Sequence, residues 1–304
     1  MKYLPFTKYS FTGSPVACPI CGNSKRTQIS KYDRRFKILP QSKCDECALV
    51  RHEFMLSDEQ LSQYYSTSYR SDYQWVNSAP TSRHIEKRVS EAKTRLNNLN
   101  PYLKKNPKIL DFGCGSGEFI ELAQKKGALA TGFEPGDLYA AYARDQKRLD
   151  VQNCGWENYD QKKKVDVVTA FHVFEHLIDP LKAFQKSISW LNNNGLIYIE
   201  VPNMAKGLKL KGFGSLHMAH TIGFGRYSLE LLGAYCGMKT IEVFDEFDIG
   251  MIFKKGIPRP LEEIKKNSIE EFANINFKQV NKQFWLYSTR KLFGKRYKNS
   301  FIVQ

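Results

Sequence analysis

Two histidines and a glutamate fall close together in the segment FHVFEHLIDP, at His172, Glu175 and His176. An imidazole titrates near neutrality and can take a proton from a hydroxyl or a carbon acid, and a neighbouring carboxylate can orient it. The four-residue interval between the histidines is also a spacing that sets two metal ligands on one helix face. Glu175 adjoins the second histidine rather than the first, however, so the His-Glu-x-x-His arrangement of zinc proteases is absent. A second set, His217, His220 and Tyr227, lies in the glycine-rich stretch GSLHMAHTIGFGRYS, which is suited to folding over a substrate as a lid. Both sets also admit a plain reading as loop packing. They stand as candidate acid–base groups, with the role of each open.

The metal chemistry points elsewhere. Cys18 and Cys21 in CPICG and Cys44 and Cys47 in CDEC form two Cys-x2-Cys pairs. Each short spacer lets both thiolates of a pair reach one ion, and two pairs fill a tetrahedral zinc shell with no open position. A segment this small cannot bury enough apolar surface alone, so a structural Zn(II) is expected to hold it together as a ribbon. Seven cysteines, an odd number, argue against a disulfide scaffold and for a reducing compartment.

A third group of residues could bind a cofactor. In PKILDFGCGSGEFIELAQKKG, a buried strand runs into Gly113, Gly115 and Gly117 and then into a helix closed by Gly127. Three glycines let the backbone turn tightly and come close to a ligand. A dinucleotide fingerprint needs G-x-G-x-x-G, whereas here Glu118 stands at the third glycine position, where its charge would repel a pyrophosphate. The next strand, ALATGFEPG, ends in Glu134, which is placed to accept hydrogen bonds from both hydroxyls of a ribose. A ribose, no phosphate and a close glycine loop describe S-adenosylmethionine.

Alternating strands and helices position these groups, and they predict a doubly wound α/β sheet. Ser57 to Gln60 is a capping box opening a short helix, followed by a tyrosine-rich stretch (Tyr64, Tyr65, Tyr69, Tyr73, Trp75). Apolar positions Ile85, Val89, Ala92, Leu96 and Leu99 form one helical stripe with a basic outer face. Pro101 and Pro107 end it. Asp179 caps a helix with Pro180 at its first position, and Gly195 is expected to end that helix. KTIEVFDEF and GMIFKK are expected to close the sheet as an antiparallel hairpin. Four regions result: a zinc ribbon over 1–56, a helical linker over 57–105, a cofactor-binding domain over 106–255 and a basic extension over 256–304.

In this order and spacing, ILDFGCGSGEF, GFEPG, VDVVTAFHVFEHLIDP and LNNNGLIYIEVPN resemble the motifs of class I S-adenosylmethionine-dependent methyltransferases, over roughly residues 106 to 253. The resemblance implies a Rossmann-like, seven-stranded, mostly parallel sheet with its last strand antiparallel. It also implies that Asp111, Gly113, Cys114, Gly115 and Gly117 line the methionine end of the cofactor, that Glu134 and Pro135 lie at the ribose, that Trp156 flanks the adenine, and that Phe171 borders the cofactor. The cysteine module, YYSTSY, FEHLIDP, EVPN and the histidine-rich loop are similar to bacterial methyltransferases of sugars and surface polysaccharides. That implies a hydroxyl, or alternatively a carbon, of a sugar, nucleotide-sugar or glycan precursor as acceptor. Ribosomal-RNA methyltransferases with a zinc finger are the second reading, and a scaffold that binds the cofactor without catalysis is the third. An Asn/Asp-Pro-Pro-Tyr/Phe tetrapeptide and a Pro-Cys nucleophile are both absent, which disfavours amino methylation of DNA bases and methylation at cytosine C5.

The net charge is +15, from 46 basic and 31 acidic residues, and about half of the excess falls after Met251. It suits an anionic small molecule or glycan, with nucleic acid as the lesser alternative, or it serves solubility alone. Hydrophobic residues reach 42%, mean hydropathy is −0.47, and no run is long enough to span a membrane. The start MKYLPFTKYS has no apolar stretch of a secretory signal, so a cytoplasmic protein is expected. A homodimer is compatible with everything above.

Overall fold

A computed structural model describes residues 6–11, 13–64 and 80–282. Tyr65, Tyr69, Tyr73 and Trp75, and the end of the basic extension, lie outside the described residues. A seven-stranded sheet forms the main body, in the order β10 (Met238–Asp245), β11 (Asp248–Lys255), β8 (Leu191–Pro202), β7 (Val165–Phe171), β4 (Lys108–Phe112), β5 (Leu129–Phe133) and β6 (Val151–Gln152). Parallel pairing runs from β8 through to β6, and β11 is antiparallel to both of its neighbours. This is the expected Rossmann-like sheet with its last strand reversed.

The central strands are apolar on both faces because helices cover both. One hydrophobic cluster contains Phe112, Phe133, Phe184, Ile197 and Met251, and a second contains Ala92, Leu96, Phe119, Ile120 and Tyr198. Helix α2 (Ser82–Leu99) belongs to the second cluster. Ser57 and Gln60 exchange the reciprocal side-chain to backbone hydrogen bonds of a capping box at the start of α1 (Asp58–Tyr64). Helix α3 (Glu118–Lys125) is followed by Gly127 at φ +89°, a left-handed turn that costs glycine little.

One local expectation shifts. The helix capped by Asp179, α5 (Pro180–Trp190), ends before Gly195, because Leu191 is already extended and begins β8. The helix after Glu134, α4 (Asp137–Ala141), starts two residues beyond Pro135, with Gly136 as its N-cap.

The cysteine segment folds as a second, four-stranded sheet: β1 (Arg26–Tyr32), β2 (Ile38–Cys44), β3 (Val50–His52) and β9 (Ile222–Gly223). Its fourth strand therefore comes from the histidine-rich loop, with Val50 opposite Gly223 and Arg51 opposite Ile222. Cys18, Cys44 and Cys47 share a hydrophobic cluster with Phe174, Phe224 and Leu229 of the main body. Helix α8 (Leu261–Glu271) adds a brace, as Ser268 Oγ donates to the Cys47 carbonyl. Among the described residues, no helix is long and apolar enough to cross a membrane.

Candidate functional site

The glycine loop leaves β4 with φ values of +69°, +55° and +82° at Gly113, Gly115 and Gly117. Side chains rarely adopt this left-handed region. Space is as restrictive as conformation. A Cβ on Gly113 would stand 2.7 Å from Val173 Cγ2, and one on Gly117 would stand 2.5 Å from Leu149 Cδ1. At Gly115 the nearest atom would be 4.0 Å away, so this glycine faces open space into which a Cβ would project.

Glu134, at the end of β5, is fixed by the same loop: its carboxylate accepts from the backbone N–H of Gly115 at 3.0 Å and of Gly136 at 2.8 Å. Two backbone donors hold both oxygens in place, and each oxygen keeps lone pairs for a vicinal diol. Glu118 is buried and paired with Lys147 at 2.9 Å. Its charge is therefore met within the fold, and Glu134 is the carboxylate that makes the loop unfavourable for a phosphate. Asp111 is buried and accepts from Thr169 Oγ1 at 2.7 Å. Burial pushes its pKa up to about 7, against the Thr169 hydrogen bond. Cys114 is buried, and its N–H donates to the Phe133 carbonyl.

The 171–176 segment follows β7 at the same edge of the sheet, and Val173 packs against Gly113. His172 has φ +57°, a strained conformation for a side chain of its size. Its N–H donates to the Glu200 carbonyl, and its ring sits among three carboxylates. Glu175 lies 3.4 Å from Nδ1, and Glu200 and Asp248 each lie 3.5 Å from Nε2. Burial opposes charge on this ring, but the carboxylates of Asp248, Glu175 and Glu200 outweigh it and hold the pKa well above the usual imidazole range. That shift favours the imidazolium form of His172.

Glu200 is tied in turn to Arg95, whose Nε reaches Oε1 at 2.9 Å and whose guanidinium lies over the Phe171 ring at 4.6 Å. Phe171 is also edge-on to Phe119 and Tyr198.

Glu175 and His176 meet the histidine-rich loop here. His176 and His220 rings are 4.8 Å apart, and His217 and His220 rings are 3.7 Å apart. Their Nε2 atoms place His176 at 3.7 Å and His220 at 3.9 Å from Glu175 Oε1. Burial, with the neighbouring histidines and Arg34, pushes His217 and His220 well below the usual range, so both are neutral. Thr221 Oγ1 donates to the carbonyls of Glu175 and Leu177. The ribbon holds the far side of the loop: His52 N–H donates to the Thr221 carbonyl, and His52 Nε2 lies 3.3 Å from the His217 carbonyl.

Of the sequence candidates, His172, Glu175, His176, His217 and His220 come together. Tyr227 does not: it sits in α7 (Arg226–Tyr235), with its ring beneath the guanidinium groups of Arg226 and Arg259. Trp156 lies beside α5, where Lys186 Nζ is 6.0 Å from its ring. Arg95, Glu200 and Asp248 were not among the candidates. The signal for Arg95 was a charge inside the apolar stripe of α2.

Cys18, Cys21, Cys44 and Cys47 bring their sulfurs within 4.8 Å of one another, with Cys18–Cys47 and Cys21–Cys44 each at 3.5 Å. Bonds of about 2.3 Å around a tetrahedral zinc separate sulfurs by about 3.8 Å. The four thiolates thus fit one ion with small adjustments.

The sequence model of a family described as "Methyltransferase domain" matches residues 83–254. The ubiquinone biosynthesis O-methyltransferase of Histophilus somni (strain 2336) is 33% identical over 107 residues, which are 32% of this chain and 45% of the relative. That of Actinobacillus pleuropneumoniae serotype 7 (strain AP76) is 24% identical over 191 residues, 59% of this chain and 73% of the relative. The first match thus spans less than half of the relative's length. Among solved structures, magnesium protoporphyrin IX methyltransferase from Synechocystis PCC 6803 with bound SAH superposes with a TM-score of 0.51 at 10% identity. The superposition covers 66% of this chain and 100% of that one, and at this identity the likeness is one of fold.

Proposed function

The chain belongs to the methyltransferase-domain family, and from that premise we propose that it moves the methyl group of S-adenosylmethionine onto a hydroxyl oxygen of a small molecule. One observation carries the reading: Val173 packs against Gly113, so the segment that leads into Glu175 and His176 starts beside the glycine loop.

When bound, the cofactor supplies an electrophilic sulfonium methyl. Gly113, Gly115 and Asp111 would hold its methionine end, and Glu134, braced by two backbone N–H groups, its ribose. The oxygen–carbon bond forms as the carbon–sulfur bond breaks, and the electron pair stays on sulfur. The chain's part is to align the hydroxyl and accept its proton. His176 is suited to this. Its Nδ1 lies 2.7 Å from the Ala219 carbonyl, which can only accept, so Nδ1 carries the hydrogen and Nε2 the lone pair. His172, whose imidazolium form is favoured by its carboxylate neighbours, adds positive charge beside Glu175.

The hydroxyl acceptor is supported by the names of the relatives, which specify O-methyltransferases. Those names specify ubiquinone biosynthesis and lend no support to a sugar or glycan acceptor. A zinc ion in the four-cysteine cluster would brace the ribbon against the lid. The test is transfer of labelled methyl to phenolic, nucleotide-sugar, glycan and RNA acceptors, with S-adenosylhomocysteine calorimetry alongside. Label on an acceptor oxygen with submillimolar cofactor affinity is expected. Absence of cofactor binding by the folded chain, or label confined to carbon or to RNA, overturns the reading.

A further inference from the structure

Among the described residues, Glu175 has both carboxylate oxygens buried without a hydrogen bond, in a side chain that is 2% exposed. A carboxylate in that state costs several kcal/mol unless a positive charge compensates it. Nitrogens surround it. His176 Nε2 and His220 Nε2 approach Oε1 at 3.7 and 3.9 Å, and His172 Nδ1 approaches the same oxygen at 3.4 Å from the other loop position. The tautomer of His176 is fixed by the Ala219 carbonyl at 2.7 Å. An imidazole whose Nδ1–H is held by a backbone carbonyl while Nε2 points inward is oriented as metal-ligating histidines are. A carboxylate oxygen and two imidazole nitrogens therefore converge, and a cation between them would be met by all three.

We propose that Glu175, His176 and His220 form a binding site for a divalent first-row transition-metal ion, distinct from the four-cysteine cluster. Two nitrogens and one oxygen are borderline donors, suited to such ions rather than to magnesium or calcium, which prefer all-oxygen shells. The three ligand atoms lie within 4.8 Å of one another. Bonds of about 2.0–2.2 Å require donors roughly 3.0–3.6 Å apart, so the ring of His220, which the lid carries, would close by up to about 1 Å. The other carboxylate–histidine group, His172 with Glu200 and Asp248, is the poorer candidate because Arg95 already meets the charge of Glu200.

Such an ion would join the segment after β7 to the lid. With the ion bound, His176 would serve as its ligand and no longer as the proton acceptor; the remaining positions would take water or the acceptor's hydroxyl oxygen, whose proton would then leave to solvent more readily. That consequence rests on the methyl-transfer reading above; the binding itself does not.

The experiment is a titration of Co2+ into the full zinc-loaded chain, followed by visible absorption, with S-adenosylhomocysteine calorimetry on the same samples. One equivalent is expected to bind with d–d bands and without the thiolate charge-transfer band that entry into the cysteine cluster would give. Glu175→Gln and His220→Asn should each weaken Co2+ binding by about 100-fold, with zinc content retained and cofactor affinity within about twofold. No binding, or binding that neither variant weakens, overturns the proposal. If Glu175→Gln fails to fold, His220→Asn decides alone. Cofactor affinity is read separately, so its absence in the native chain counts against the methyl-transfer reading and leaves the metal result standing.

Discussion

Replacing Arg95 by methionine keeps an unbranched apolar stem and removes the cation against which Glu200 is set. The guanidinium reaches Glu200 Oε1 through Nε at 2.9 Å and Nη2 at 2.5 Å, and only 7% and 16% of the two side chains are exposed. Burial works against the Glu200 carboxylate, yet the His172 hydrogen bond and the Arg95 charge carry its pKa from 4.5 down to about 2. That displacement converts to roughly 3 kcal/mol. A depressed carboxylate pKa contributes stability above the unfolded value and loses it as pH falls toward the folded one. At pH 7.5 the whole contribution is therefore present, and the cysteine ligands are spared acid. His172 and Arg95 share it in comparable parts, so Arg95 accounts for roughly 1–2 kcal/mol. A double-mutant cycle of Arg95→Met with Glu200→Gln, read by urea unfolding, should return a coupling energy of about that size. A coupling below about 0.5 kcal/mol would refute the reasoning, because it would put the pair among ordinary surface ion pairs.

Asp111 provides a pH dependence of opposite sign. Burial lifts its folded pKa to about 7, so its contribution to the stability of the cofactor-free chain is fully present below about 4 and is lost as pH rises through 7. An ammonium group of the bound cofactor would favour the carboxylate. S-adenosylhomocysteine affinity by calorimetry should thus rise about tenfold from pH 6 to 8, and Asp111→Asn should flatten that rise. Gly117→Ala forces a side chain to φ +82° with its Cβ 2.5 Å from Leu149, and should lower stability by about 2–3 kcal/mol in thermal unfolding. Gly115→Ala meets nothing closer than 4.0 Å, so it should cost about 1 kcal/mol of stability while weakening cofactor binding at least about tenfold. Cys47→Ser should remove one zinc per chain by elemental analysis. It should also raise hydrogen exchange in Val50–His52 and Ile222–Gly223 together.

Much of this was legible because the informative spacings were local. The glycine loop, the acid at the end of β5, the capping box at Ser57 and the cysteine pairs each occupy a few adjacent residues, and their chemistry follows from those spacings. The neighbours of His172 were illegible for the converse reason. Arg95 meets Glu200 across 105 residues, and Asp248 joins them only because β11 enters the sheet antiparallel beside β8. An acid one residue before VPN and another at a hairpin turn look solvated until the strand order is known. Arg95 lay in plain view, but periodicity assigned the basic residues of α2 to its outer face. Gly195 misled in another way: glycine often ends helices, but here three asparagines before it had already extended the chain.

The pairing of Val50–His52 with Ile222–Gly223 bears on how this chain can be recombined. A chimaera that exchanged the cysteine segment and kept the host's own 216–223 would leave β3 with a bare edge, open to pairing with another molecule. It would also leave the His217 and Thr221 carbonyls without their partner at His52. Two stretches roughly 170 residues apart therefore form a single unit of inheritance. Variation in the histidine loop is constrained by the cysteine segment, and any successful graft must carry both.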